Sequence, residues 1–189
     1  MMFSDAPACW NERTIVTRMA WVGSRLFIRP SRLRWLWLSM AVIVTDQIAK
    51  YVVNSALAPY EAIPITPFAR LVLVYNSGIF RGWLAFAGNE QRWPLVLMAA
   101  VMAGVLLISM VRSDSPYRMA GMALVLAGAV SNAIDRAMLS HVIDFMQVSY
   151  DGWSTAVFNI ADLAIFAGIA LIASSASAKD AMPRGSTAS

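Results

Sequence analysis

Hydrophobic positions run through this chain in long blocks. Four nearly unbroken apolar stretches, roughly Trp35 to Val53, Trp93 to Val111, Met119 to Ile134 and Ala156 to Ser174, are separated by shorter mixed segments. Each is about long enough, at a helical rise of 1.5 Å per residue, to cross a hydrocarbon core. Between the first two, "PITPFARLVLVYNSG" has prolines, then a run of β-favouring residues, then an Asn-Ser-Gly turn signal. That pattern predicts a short strand or small sheet at the outer leaflet, with a partly buried irregular loop as the alternative. No internal repeat is visible. The expected fold class is an all-α membrane protein, four transmembrane helices with a small extracytoplasmic β segment. Residues 1-34 form a basic cytoplasmic extension, 35-176 the four-span domain and 177-189 a cytoplasmic tail.

Composition agrees with a lipid environment. Of 189 residues, 59% are hydrophobic and 14% charged, and the mean hydropathy is +0.60, too apolar for a soluble domain of this size. The first apolar stretch starts too deep, carries Asp46 and Lys50 near its far end and lacks a small-x-small cleavage site, so it reads as a retained span. The segment before it has little periodicity and is expected to be poorly ordered.

Charge then sets orientation. Arg13, Arg18, Arg25, Arg29, Arg32 and Arg34 precede the first span, Arg112 and Arg118 lie between the second and third, and Lys179 and Arg184 follow the fourth. With both termini in the cytoplasm all of these lie inside, as the positive-inside bias expects. Met138 to Thr155, with no Lys or Arg, then faces outward, as does Asn54 to Arg92 with only Arg70, Arg81 and Arg92. Trp35 and Trp37 at one level, Trp93 and Trp153 at the other, suit aromatic belts. The pI near 9.6 reports this topology and attraction to anionic lipid; no basic groove or stacking pattern suggests nucleic acid.

Cofactor chemistry finds no footing. Cys9 is the only cysteine and lies in the cytoplasmic start, and one histidine without clustered Cys and carboxylates makes no metal site. No cofactor and no metal are expected.

Ionisable groups at the edges of apolar spans are costly and generally face a protein interior or an aqueous pocket. Asp46 and Lys50, four apart, share a helix face and can be an ion pair closing a helix end. In "SNAIDR", Asn132 shares a face with Asp135 and Arg136; Arg136 can snorkel outward, Asn132 can bond across helices, and Asp135 is expected to be structural, neutralising an arginine. Asp144 lies among Val142, Ile143 and Phe145 just after the third span, and Asp162 one or two turns into the fourth. A turn or strand-end carboxylate and a helix-start acid are the structural alternatives. Counting spans nevertheless brings both to the same outer level, where they can meet. Asn159, three residues before Asp162, is placed to orient its carboxyl.

Two acids close together in low dielectric share a proton, so one can take a proton from water while the other gives one to a carbonyl oxygen. That is the chemistry of an aspartic peptidase. A Ser–Lys dyad would need Lys50, whose evident partner is Asp46. A Ser–His–Asp triad would need His141, expected to face solvent beyond a helix end.

"VTDQIAK", "VYNSG", "GAVSNAIDR", "HVIDF" and "FNIAD", in this order, resemble the lipoprotein signal peptidases, or signal peptidase II, over roughly Trp35 to Ile172. The resemblance implies an inner-membrane aspartic peptidase, multi-pass, with its site near the outer face and an external β cradle for substrate. It would cleave diacylglyceryl-modified prolipoproteins just before the lipidated cysteine. The partners expected are that substrate and membrane lipid, and a monomer is expected although the sequence itself does not fix the oligomeric state. Its catalytic pair falls on Asp144 and Asp162. Supporting positions fall on Asp46, Lys50, Asn76, Gly78, Asn132, Arg136, Asn159 and Ala161, with Asp135 structural. The chain departs from the family pattern at Ile79-Phe80-Arg81, where two small residues and then Phe are usual, and at Ser131, where Gly is common. Two other readings stay open: a catalytically altered paralogue that binds lipidated peptides, and a small proton-relay or transport protein. The second is disfavoured because "WPLVLMAAVMAGVLLISMV" holds no ionisable group.

Overall fold

A computed structural model describes residues 30–78, 90 and 92–180, with side chains for 34–78, 90 and 92–175. The arginine-rich start before residue 30, the Ile79-Phe80-Arg81 segment and the tail beyond residue 180 lie outside the described residues. Four helices and a small sheet follow in the order α1 (Pro30–Ala56), β1 (Ala62–Thr66), β2 (Ala69–Asn76), α2 (Arg92–Arg112), α3 (Pro116–Leu139), β3 (Val142–Tyr150), β4 (Trp153–Ser154) and α4 (Ile160–Asp180).

The protein is thus mostly helical. Lengths and composition within α1, α2 and α3 suffice to cross a membrane (Arg34–Ala56, Arg92–Arg112, Pro116–Leu139), while the apolar stretch Ile160–Ser175 of α4 is shorter. Helices are the economical answer here because hydrocarbon offers the backbone no hydrogen-bond partner. Most helix bounds extend past the apolar stretches that predict them: α1 begins at Pro30, five residues before Trp35, and α3 spans Pro116 to Leu139. Pro116 suits the first turn of α3, where its missing N–H costs nothing, and Ser115 caps it by accepting from the Arg118 N–H.

Helix α3 is the centre, packed against α1, α2 and α4. Its contact with α4 is close because glycines face it. A Cβ on Gly121 would stand 2.6 Å from the Gly168 carbonyl oxygen, and one on Gly128 would stand 2.3 Å from that of Ala161. Small residues let two backbones approach where lipid supplies no hydrophobic force between helices. By contrast α2 turns Trp93, Leu97, Met98, Val101, Met102, Val105 and Ile108 outward, which in water would be a large unpaid exposure.

The sheet has the order β1-β2-β3-β4, antiparallel throughout. Strand β3 pairs with β2 from Val142↔Asn76 to Val148↔Ala69. It turns into β4 through Asp151 and Gly152, both at positive φ (45° and 77°), the two-residue turn whose twist suits a hairpin. Val53, Leu57, Leu73, Ile143 and Phe145 form a small core that joins the sheet to the end of α1. A second apolar cluster, with Leu106, Met110, Met119, Met122, Ala123 and Leu126, lies among the helices.

Candidate active site

Between those two apolar clusters lies a layer of buried polar side chains. Lys50 of α1 is 1% exposed and holds two carboxylates, Asp46 and Asp135, each at 2.7 Å. Its ammonium also donates to Asn132 Oδ1 at 3.0 Å. A lysine so deep is retained only with its donors satisfied, and here all three have an acceptor. Asp135, expected as the counter-ion of an arginine, instead takes Lys50 as its ion-pair partner. It also accepts from Gln47 Nε2 at 2.8 Å and from the backbone N–H of Ile143 at 3.4 Å, which ties α3 to the start of β3.

Asp46 reaches across to α4. Its Oδ1 accepts from the Ala161 N–H at 3.0 Å and its Oδ2 from Ser131 Oγ at 2.7 Å. The Ala161 contact satisfies one of the amide donors that every helix start leaves unpaired. Ser131, where the sequence resemblance leads one to expect glycine, uses its hydroxyl to link Asp46 with Gln47, whose Nε2 donates to it at 3.0 Å.

Helix α4 begins at Ile160, four residues later than its apolar stretch. Phe158 pairs with Met146 of β3, and Asn159 then caps the helix. Asn159 Oδ1 accepts from the Asp162 N–H at 2.9 Å, and Asp162 Oδ2 accepts from the Asn159 N–H at 3.3 Å. This reciprocal box is the usual way to close a helix N-terminus. It also sets the Asp162 carboxylate, whose Oδ1 accepts from Asn132 Nδ2 at 2.9 Å.

The Asn159 side-chain amide points the other way. Its Nδ2 donates to Asp144 Oδ1 at 2.7 Å, with longer contacts to Asn132 Oδ1 at 3.2 Å and the Ile143 carbonyl at 3.4 Å. Asp144, on β3 and 2% exposed, accepts a second bond on Oδ2 from Asn76 Nδ2 at 3.0 Å. One asparagine therefore bridges the two acids, through its amide to Asp144 and through its backbone to Asp162. Burial, and then the neighbouring Asp162, push the Asp144 carboxyl up from 3.8 to about 7, against the bonds from Asn76 and Asn159 and the charge of Lys50.

Asn76 closes the end of β2 with a local turn, its Oδ1 accepting from the Gly78 N–H at 3.1 Å. Arg136 Nη2 donates to the Gly78 carbonyl at 2.8 Å and Nη1 to that of Asn132 at 3.3 Å. Hence Asp46, Lys50, Asn76, Gly78, Asn132, Arg136, Asn159, Ala161 and Asp135 all converge around Asp144 and Asp162. His141 does not join them. Rather than facing solvent it is half-buried against the Tyr75 ring, centroids 4.4 Å apart, and burial holds its imidazole below the ordinary 6.5.

Asn76, Asn132, Arg136, Asp144 and Asp162 form the polar end of a cavity of about 660 Å³. Its long walls are apolar, with Leu95, Met98, Met102, Ile165, Phe166 and Ile169 from α2 and α4. Among the described residues no His, Cys and carboxylate set converges as a metal site. Sequence reasoning missed Gln47, although a glutamine among Val44, Ile48 and Val52 was itself a sign of a partner across the helices.

The profile of a family described as Signal peptidase (SPase) II matches residues 38–177. A lipoprotein signal peptidase of Pseudomonas syringae pv. tomato is 38% identical over 146 residues, 75% of this chain and 84% of that protein. One from Tolumonas auensis is 39% identical over 143 residues, 74% of this chain and 87% of its own length. A solved bacterial membrane enzyme shares the fold, with a TM-score of 0.72 at 22% identity, over 82% of this chain and 94% of that one.

Proposed function

The chain belongs to the signal peptidase II family, and from that premise we propose that it is a membrane-embedded aspartic endopeptidase acting on diacylglyceryl-modified prolipoproteins. It cuts the signal peptide away just before the lipidated cysteine. The observation that carries the aspartic assignment is that Asp144 and Asp162, from β3 and α4, open on one cavity and are bridged by Asn159.

The reaction follows from the environments of the two acids. They hold one proton jointly, and Asp144, whose carboxyl burial and the neighbouring Asp162 push up to about 7, is the member that carries it. Asp162, positioned through both oxygens by Asn132 and Asn159, serves as base. It takes a proton from water as the water oxygen attacks the scissile carbonyl carbon, and Asp144 gives its proton to the carbonyl oxygen. The tetrahedral diol then collapses: Asp162 passes the proton it took to the amide nitrogen, a diol hydroxyl returns one to Asp144, and the C–N bond breaks. The signal peptide leaves with a new carboxylate and the cysteine with a free amine. No side chain is consumed.

Substrate positioning uses the rest of the cavity. Its apolar walls suit a signal helix and acyl chains entering sideways from lipid, and that binding energy holds the bond at the polar end. Arg136 secures Gly78 and with it the Asn76 turn over Asp144. The protein is taken to act as a monomer. The location inferred is the bacterial inner membrane, with α4 as a fourth span, termini in the cytoplasm, and the site at the outer face of a domain covering about residues 35–176.

Membranes carrying the wild-type protein should process a diacylated model precursor, whereas Asp144→Asn and Asp162→Asn should each abolish cleavage while inserting normally. Near-normal processing by both variants would end the proposal.

A further inference from the structure

Asp144 lines two cavities. Besides the apolar one between α2 and α4, it forms part of a second, of about 380 Å³, on the sheet, where Val74, Asn76 and Ser77 of the β2 end face Thr155 and Val157 across Gln147 of β3. The two spaces meet at Asn76, Asp144 and the 155–157 segment, which line both. A chain whose scissile bond lies at Asp144 therefore has one route between the helices and another over the sheet. The first is apolar along its length and suits the signal helix. The second lies outside the helices and is edged by polar groups, so it suits the water-soluble chain beyond the cysteine.

Resting on the peptidase reading above, we infer that the second cavity is the subsite for the first residues of the mature lipoprotein, and that Gln147 and Arg70 select its third residue. Gln147 is three residues from Asp144 along β3, about 10 Å at the strand rise. An extended peptide leaving Asp144 along β3 brings its third residue, counting the cysteine as first, beside Gln147. Gln147 is held in place from both sides: its Nε2 donates to the Thr155 carbonyl at 2.8 Å and its Oε1 accepts from Arg70 Nε at 2.8 Å. Arg70 stands opposite it in the β2–β3 register. It is exposed and is the only basic residue in the four strands. An acidic side chain at the third position meets this guanidinium; a basic one is repelled.

The test uses three diacylated precursors that differ only in carrying aspartate, serine or lysine at the third mature position. The wild-type protein should cleave them in the order aspartate, serine, lysine, with kcat/KM differing about two- to fivefold per step, as an exposed charge pair allows. Arg70→Glu should invert the order and Arg70→Gln should flatten it, and each contracts when salt is raised. The same three residues placed before the scissile bond should give an order that neither variant alters. Equal rates for all three precursors, an order untouched by Arg70→Glu, or a charge effect confined to the signal-peptide side would each overturn the subsite. Failure of the wild type to cleave any precursor would instead overturn the peptidase reading on which it rests.

Discussion

Asp46, in the first helix, accepts a hydrogen bond from the backbone N–H of Ala161 at the start of the last, 115 residues away, at 3.0 Å. The contact makes the position of Asp162, the next residue, depend on a carboxylate that itself belongs to the Lys50 ion-pair layer. Site geometry and folding stability are therefore coupled through one side chain.

Asp46→Ala should be strongly destabilising. It removes one of two counter-ions from a lysine that is 1% exposed and leaves the Ala161 N–H and Ser131 hydroxyl without their acceptor. Breaking a buried pair costs about 3–5 kcal/mol. Thermal unfolding in detergent should show a Tm many degrees below wild type, and an unchanged Tm would refute the coupling.

Proton affinity at Asp144 gives a pH dependence with a definite sign. Its folded carboxyl titrates near 7 against 3.8 unfolded, so between those values the folded chain binds more protons and stability falls as pH rises. Below about 4 both states are protonated and the contribution is complete; above about 7 both are ionised and the loss, of the order of 2–4 kcal/mol, levels off. Asp144→Asn should flatten this slope in denaturation measured from pH 4 to 8. Processing by the wild type should decline as pH passes about 7 and Asp144 loses the proton it donates; a rate still climbing there would contradict the assignment of Asp144 as acid.

The helices and the two acids were legible because lipid imposes simple rules: continuous apolarity marks a span, and a carboxylate beside one stands out. Partners across elements were not. Asp135 pairs with Lys50 of α1 although Arg136 is its sequence neighbour, because the rotation of α3 against α1 decides what faces what, and periodicity within one helix carries no such information. The sequence pattern marks β3 only through the strand-end alternative at Asp144, though "YDGW" offers a hairpin signal. Apolarity alone places the start of α4 four residues early, because Ala156, Val157 and Phe158 are as apolar as a helix, and only the pairing of Phe158 with Met146 of β3 moves the boundary to Ile160.

Glycine positions give a paired prediction. A methyl on Gly128 would meet the Ala161 carbonyl oxygen at 2.3 Å, backbone that cannot move aside without shifting the start of α4, whereas one on Gly104 of α2 meets nothing within 4 Å. Gly128→Ala should cost about 1–3 kcal/mol and depress processing because Asp162 moves with α4. Gly104→Ala should alter the Tm little, by no more than the helix-propensity difference of about 1 kcal/mol. Equal Tm values for the two variants would contradict the packing.

Asn159 separates positioning from binding. It touches both acids but lines neither the apolar walls nor the sheet cavity, so its loss should leave substrate affinity near wild type. In Asn159→Ala the amide that holds Asp144 disappears, together with the helix cap that accepts from the Asp162 N–H. Cap loss alone costs about 1 kcal/mol, too little to unfold a chain held by the Lys50 layer. The larger effect falls on chemistry, since misplacing reacting groups by about 1 Å can lower a rate by about 100-fold. Processing assays at varied precursor concentration should accordingly show kcat reduced by about that factor with KM little changed. A raised KM at normal kcat would instead place Asn159 in substrate binding and remove it from the alignment of the pair.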